Sequence, residues 1–482
     1  MFPRLLPILG LATTLAACNL APGYRPPLVA VPAAYKEIGP WQPAAPSDDQ
    51  PRGPWWQRFG DATLNKLEPE IETANPDLAA TVARYDQARA FAAEAAAGLD
   101  PQVGLGASLS ANRQSKDRPL RGATQPNFYG ANQAAASVGY EIDFWGKLRN
   151  EANAGAELAQ ASAADLATMR LSLQSELATD YLTLRGLDAD AKLLTDTVGA
   201  YGKALDLTQT LFHGKIVSSL DVSRAETQLD TAKAEVSDIA SRRALMEHAI
   251  ATLVGQPAGS FSIPTDVPPF SLPDVPAGLP STLLERRPDI AAAERTVAAA
   301  NSEIGVARAA FYPSVSLNLL AGFQSSGLNL LSLPNSFWSL GPDVTLPVFT
   351  GGQLDAEEAA AYARFREAGA DYRSTVLSAF QQVEDNLALL HWLGQEAKDE
   401  AAGVTAAQHT LDVALNLYKE GVASYLEVVT AQTALLQAQQ TLIDLQTRRV
   451  DADVSLIQAL GGGWTAKDLP TQAAATELPA NG

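Results

Sequence analysis

The chain has 482 residues, with 54 acidic against 35 basic side chains and a net charge of −19. So acidic a chain repels nucleic-acid phosphate and fits an aqueous periplasmic body or an acidic pore that favours cations. Beyond the first residues there is no run of about 18 apolar residues, so no transmembrane helix is expected, whereas a lipid anchor or a β-barrel stays open.

In chain order, residues 1–17 read as an export signal: Arg4 gives a positive start and Leu5 to Ala17 a short apolar stretch. The stretch ends in Leu15-Ala16-Ala17-Cys18 and resembles a lipobox, in which the cysteine is acylated and becomes the new N-terminus. Cys18 is the single cysteine, so an exported chain has no internal disulfide and this thiol is expected to carry lipid, such as palmitate. Residues 18–60 are rich in proline and aromatics without a period and read as an extended strap. Within it Trp55-Trp56 suits either a membrane interface or docking onto the body.

Residues 61–255 form a first unit, and residues 281–461 a second. Between them, residues 256–280 are too dense in proline for helix and read as a linker. Residues 462–482 read as a flexible C-terminal tail. Setting Leu211–Gly255 against Leu417–Gly461 at an offset of 206 gives twelve identities in 45 positions, among them Leu220/Leu426, Arg243/Arg449 and Gly255/Gly461. A tandem duplication is the simplest account, each half reading helix, strand, loop, strand, long helix, helix.

Gly146 to Phe212 and Gly352 to Tyr418 contain no proline, about 67 residues each, or roughly 100 Å of helix. Val422, Val429, Leu436, Ile443, Val450 and Ile457 recur every seven residues, and Val428, Leu435, Leu442, Arg449 and Leu456 form a second such series. Two apolar seams on one helix imply neighbours on both sides, as in a closed ring of helices. An ordinary long antiparallel bundle is the plainer alternative.

Four segments alternate with period two, near 103–110, 136–143, 314–319 and 338–346. Each approaches the 9–11 residues a tilted strand needs to cross a bilayer, and aromatics such as Tyr129, Trp145, Tyr312 and Trp338 flank them. A small soluble sheet would alternate in the same way. Four strands cannot close a barrel, and open edges in lipid leave backbone groups unpaired at several kcal/mol each. Membrane strands here therefore require oligomerisation, and three copies give twelve strands around a lumen.

Catalytic signatures are lacking. The histidines His213, His248, His391 and His409 show no metal-ligand pairing, and there is no nucleophile elbow or phosphate loop. Arg286-Arg287-Pro288-Asp289 reads as a helix start. A non-enzyme is expected, with no cofactor beyond the covalent lipid on Cys18.

The chain resembles the outer-membrane factors, the TolC-like channels, and within them the NodT-like lipoproteins that serve RND-type efflux pumps. The residues that carry the resemblance are Cys18, Tyr140–Gly146, Leu283–Ile290 with Ala293-Glu294, Phe311-Tyr-Pro313, Leu346–Gly352 and Leu417–Val428. It implies a mainly α chain with transmembrane β-strands. Three copies would form a twelve-stranded outer-membrane barrel continuous with a twelve-helix periplasmic barrel. It implies a passive efflux duct working with a periplasmic adaptor and an inner-membrane pump, gated at its periplasmic tip. Leu426 matches the family's apolar gate and Glu427 an acidic position, while Thr430 stands where many relatives carry a second acid. Asp221 matches an acid that meets a tyrosine of the next protomer, and Tyr418 would be that tyrosine. In the first turn the glycine is Gly214, one place before the position of Gly421, so the two turns are expected to differ. Export of proteins by a type I system, or a lipid-anchored tether or adaptor, are the alternative functions.

Overall fold

The computed structural model describes residues 19–38, 54–117, 122, 124–267, 283–327 and 329–478. Cys18 and part of the linker lie outside the described residues. Seven helices carry the architecture: α1 (Leu64–Ala74), α2 (Pro76–Ala97), α3 (Lys147–His213), α4 (Ser219–Leu253), α5 (Pro288–Ala309), α6 (Gln353–Lys419) and α7 (Tyr425–Ala459). The duplication is literal in their lengths. α2 and α5 have 22 residues each, α3 and α6 have 67, and α4 and α7 have 35.

The long helices run uninterrupted because they lack proline and are rich in alanine and leucine, which lose little freedom in a helix. Glycines in the left-handed region, Gly146 and Gly352, turn the chain from the sheet into α3 and α6. At their far ends α4 and α7 stop at Gly255 and Gly461, also with positive φ. Here the chain passes so close to the Ala74 and Arg286 carbonyls that a Cβ would overlap them.

That close passage stacks the short helices end to end. Asn75 caps the first turn of α2 and donates from Nδ2 to the Leu253 carbonyl at the end of α4, 2.8 Å away. In the second half Arg287 occupies the same place, and its Nη1 donates to the Ala459 carbonyl at 2.9 Å. Each half thus supplies one continuous long helix and one pseudo-continuous pair. The lower halves pack in the order α4–α3–α7–α6 and the upper halves in the order α2–α3–α5–α6. Among the described residues, no helix is long and apolar enough to cross a membrane.

Among the described residues six strands complete the fold: β1 (Gln102–Ser108), β2 (Ala111–Arg113), β3 (Phe128–Gly130), β4 (Asn132–Glu141), β5 (Ser314–Ser325) and β6 (Ser336–Thr345). β1, β4, β5 and β6 form one antiparallel sheet in that order, and β2 and β3 extend the β1–β4 hairpin in the same register.

The main core lies at mid-height, where Leu177, Tyr181, Ile250, Ile290 and Val376 are buried together with Tyr35, Trp55 and Phe59 of the N-terminal strap. Trp55 is therefore docked on the protein body. One expectation is corrected. The C-terminal segment is not a flexible tail over its described residues. Trp464 and Leu469 lie against Ala164, Ala291 and Ala292, the Gln160 side-chain amide donates to the Pro470 carbonyl at 2.8 Å, and Ala475 is buried on Ala92 and Ala159. Alanine-lined helix seams leave grooves shallow enough for these side chains to fill.

Candidate membrane belt and channel gate

The sheet has two chemically distinct faces, fixed by register. Directly opposed residues point the same way and neighbours along a strand point oppositely. One face carries the rows Val103–Val138–Leu319–Leu340 and Leu105–Ala136–Ala321–Trp338. The other carries Ser108–Gln133–Gln324 and Glu141–Ser316–Asp343. On the apolar face Leu105 is 88% and Trp338 75% exposed within one chain. An apolar surface this open needs a non-aqueous cover. Among the described residues both outer strands, β1 and β6, lack a partner on one side.

At the helical end of the sheet, Trp145 donates from Nε1 to the Pro313 carbonyl at 2.8 Å and stacks on Tyr312 with ring centres 4.7 Å apart. This aromatic step marks one rim of the apolar band. The described strap begins at the same height. Asn150, in the first turn of α3, donates from Nδ2 to Asn19 Oδ1 at 2.9 Å, and Asn301 donates to the Pro22 carbonyl at 2.9 Å. The strap then descends to mid-height. The Tyr24 hydroxyl donates to Glu294 Oε1 at 2.5 Å, and the Lys36 and Glu37 amides donate to the Glu384 carboxylate at 2.8 and 2.9 Å.

The opposite end of the molecule is formed by the α3–α4 and α6–α7 turns. Their backbones follow one pattern. The Lys215 amide donates to the Phe212 carbonyl and the Ile216 amide to that of Leu211, matched by Gly421 to Tyr418 and Val422 to Leu417. The expected difference in turn shape is therefore absent. The left-handed position is Lys215 (φ 61) in one turn and Gly421 (φ 74) in the other, while Gly214 has an ordinary helical φ. The glycine of the first turn is thus not its left-handed residue, because a lysine holds that place.

Leu426 is 48% exposed and Glu427 is exposed, with no side-chain partner among the described residues. Thr430 turns its hydroxyl back to the Leu426 carbonyl, 2.8 Å away. In this chain Asp221 is the counterpart of Glu427. Its Oδ2 accepts from the Ser218 amide and hydroxyl at 3.3 and 3.1 Å, and its Oδ1 pairs with Arg224 at 3.5 Å.

Tyr418 turns inward. It is buried within its own chain, its hydroxyl donates to Thr208 Oγ1 at 3.3 Å, and its ring meets Tyr425 at 5.2 Å. Burial, then the neighbouring Tyr418, Tyr201 and Asp221, push the Tyr425 hydroxyl up to about 12. Tyr201, Thr208 and Tyr425 were missed from the sequence. A signal existed, since Leu187, Leu194, Tyr201 and Thr208 recur every seven residues on α3 and all are buried.

This architecture has close relatives. A family model described as outer membrane efflux protein matches residues 69–256 and 279–462. The pyoverdine export outer membrane protein OpmQ of Pseudomonas aeruginosa is 32% identical over 459 residues, covering 93% of this chain and 95% of that protein. The probable efflux pump outer membrane protein TtgC of Pseudomonas putida is 31% identical over 469 residues, covering 95% and 96%. The crystal structure of the outer membrane protein VceC from Vibrio cholerae superposes with a TM-score of 0.81 at 32% identity, over 86% of this chain and 99% of that one. The two matched blocks coincide with the two repeats, and the alignments span nearly the whole of each relative: this chain belongs to the outer membrane efflux protein family.

Proposed function

We propose that three copies of this chain form a passive exit duct of a tripartite efflux pump, carrying small molecules across the periplasm and outer membrane. The observation that carries this reading is the two-faced sheet with both edges unpaired. Its apolar face matches lipid, its polar face matches a water-filled lumen, and its edges pair only when β6 of one copy meets β1 of the next. The helix row is open in the same sense, at α2 and α4 on one side and α6 on the other. A lipid-anchored tether would have no use for four such strands.

In this reading Cys18 is acylated, and the lipid enters the inner leaflet beside the barrel. The hydrogen bond from Asn150 to Asn19 supports this, because it holds the next residue level with the aromatic rim. Leu426 and Glu427 line the resting constriction, with Thr430 one turn above. Tyr418 and Asp221 brace it from within each protomer. A periplasmic adaptor and an inner-membrane RND-type pump engage the tips, where Ile216, Leu220 and Val422 are exposed.

The test is electrical and covalent. Purified protein in planar bilayers is expected to conduct only as a trimer, and a stably folded, non-conducting monomer in detergent would sink the reading. Palmitate labelling is expected in wild type and absent from Cys18→Ser; equal labelling removes the anchor.

A further inference from the structure

The long helices carry glycines of two kinds. On α3, a Cβ at Gly155 would stand 3.1 Å from the Ala92 backbone, and one at Gly186 would overlap Thr447. Those glycines are there for close packing. Gly199 and Gly202 are different, because nothing lies within 4 Å of the Cβ either would carry, and neither has a positive φ. Glycine ranks below every residue but proline in a helix interior. Two of them, three residues apart, weaken α3 at one level with no packing reason.

Their height in the molecule is informative. Tyr201 lies between them and is buried. Gln228 of α4 reaches its hydroxyl at 3.4 Å and Thr433 of α7 at 2.9 Å. Above this level Leu187, Leu194 and Ile239 form one core, and below it Tyr418, Tyr425 and Val428 form another. The two glycines therefore fall in the gap between two rigid clusters, roughly 20 Å from the end of α3 at 1.5 Å per residue. α3 is flanked on both sides by helices of its own chain, α4 and α7. Within the chain those helices leave the faces at Gly199 and Gly202 open. α6 carries Gly403 near the same height, two positions away in the repeat alignment, with only the Glu400 carboxylate of its own helix at 4.0 Å.

We propose that the Gly199–Gly202 step of α3 is the hinge about which the lower end of the first hairpin bends when the duct opens, with Gly403 giving α6 matching freedom. The hinge rests on the reading of the tips as the gate. Below the step the Tyr418–Tyr425 cluster moves as a unit, and above it the mid-height core stays fixed.

The test is Gly199→Ala combined with Gly202→Ala in the full-length trimer, since a methyl group fits both sites. The open fraction in planar bilayers is expected to fall about tenfold at equal trimer level. Hydrogen exchange of amides 198–206 is expected to slow with it. Wild-type opening, or unchanged exchange, overturns the hinge. If the double variant assembles poorly, Gly199→Ala alone is expected to give about a threefold fall, and wild-type opening overturns the hinge there too. Leu426→Ser in the otherwise native chain separates the two ideas. Unaltered conductance there removes the tip gate, while the exchange rates still report on the bend.

Discussion

Asp188 of the first hairpin and Gly394 of the second occupy the same place in their repeats, 206 residues apart. Around Asp188, Arg185 Nη1 and Arg243 Nε donate at 2.8 and 2.6 Å, and the Asp266 amide at 3.2 Å. The same arginines hold the Pro264 and Ile263 carbonyls, so the network fastens the start of the linker onto the hairpin. At Gly394 there is no acid, and Nε of Arg449, the counterpart of Arg243, has no hydrogen-bond partner among the described residues. Chain following the first repeat lies along its hairpin, whereas chain following the second turns up to α3. The two halves thus keep their three main helices alike in length and differ where each helix pair meets its own sequel.

The largest effect should come from breaking that contrast. Asp188→Ala leaves two guanidinium groups without their shared partner, and such a loss typically costs about 3–5 kcal/mol. Gly394→Ala should be nearly neutral, because its Cβ would sit 3.8 Å from Arg449, an ordinary contact. Denaturation of the trimer measures both. Equal losses would mean the network contributes no more than its silent counterpart.

Next comes α1, whose counterpart in the second half is only the single turn Leu283–Arg286. Glu68 on α1 is fully buried, its carboxyl oxygens have no partner among the described residues, and burial raises its pKa to about 9. The folded chain holds this proton after the unfolded chain has released it. Its contribution to stability is therefore fully present below about pH 4.5 and falls by about 1.4 kcal/mol per unit as pH rises towards 9. Glu68→Gln should flatten that part of the stability–pH curve. An unchanged slope between pH 6 and 8 would show that the carboxyl finds a partner in the assembled protein.

The tips allow a third test. Leu220 and Leu426 are equivalent and both exposed, at 56% and 48%. Only Leu426 is assigned to the constriction. Leu426→Ser wets three equivalent positions in a trimer, and at about 1.5 kcal/mol per apolar side chain the open fraction should rise at least tenfold. Leu220→Ser should leave conductance alone. If the two behave alike, the gate is shared by both hairpins.

Helix lengths, the duplication and the alternating strands were legible in the sequence because each is a local period: seven residues, two residues, or a constant offset. The gate was only half legible. Leu426 and Glu427 come from the family resemblance alone, and where the Tyr418 and Asp221 side chains lie depends on which way they turn across a four-helix contact. Asp221 closes on Ser218, three residues back, in a short-range capping pattern. Tyr418 is drawn inward by Tyr425, a residue with no aromatic counterpart in the first hairpin, where Ser219 stands. The C-terminal segment was misread because its composition looked loose, whereas its few large side chains, Trp464 and Leu469, meet alanine grooves built by distant parts of the chain.

Asp221 and Glu427 sharpen the contrast at smaller energy. Asp221→Ala removes acceptors for the Ser218 amide and should cost the first turn of α4 about 1 kcal/mol. Glu427→Ala should cost the fold almost nothing, and instead lower cation preference in bilayer recordings. A reversal of these outcomes would exchange the roles assigned to the two acids.

The smallest effect concerns the turn itself. Lys215 and Gly421 share one left-handed position, and only glycine adopts it without crowding its Cβ against the backbone. Lys215→Gly should relieve that crowding, but glycine also gains freedom in the unfolded chain, so the net gain is about 0.5–1 kcal/mol. The reverse change, Gly421→Ala, should cost a similar amount. Amide exchange at Ile216 and Val217, and at Val422 and Ala423, reads each turn separately. Exchange should slow about threefold in the first turn and quicken in the second. If Lys215→Gly leaves Ile216 unchanged, the lysine is held in place by contacts that only the assembled tip supplies, and the strain is part of the closed state rather than of the single hairpin.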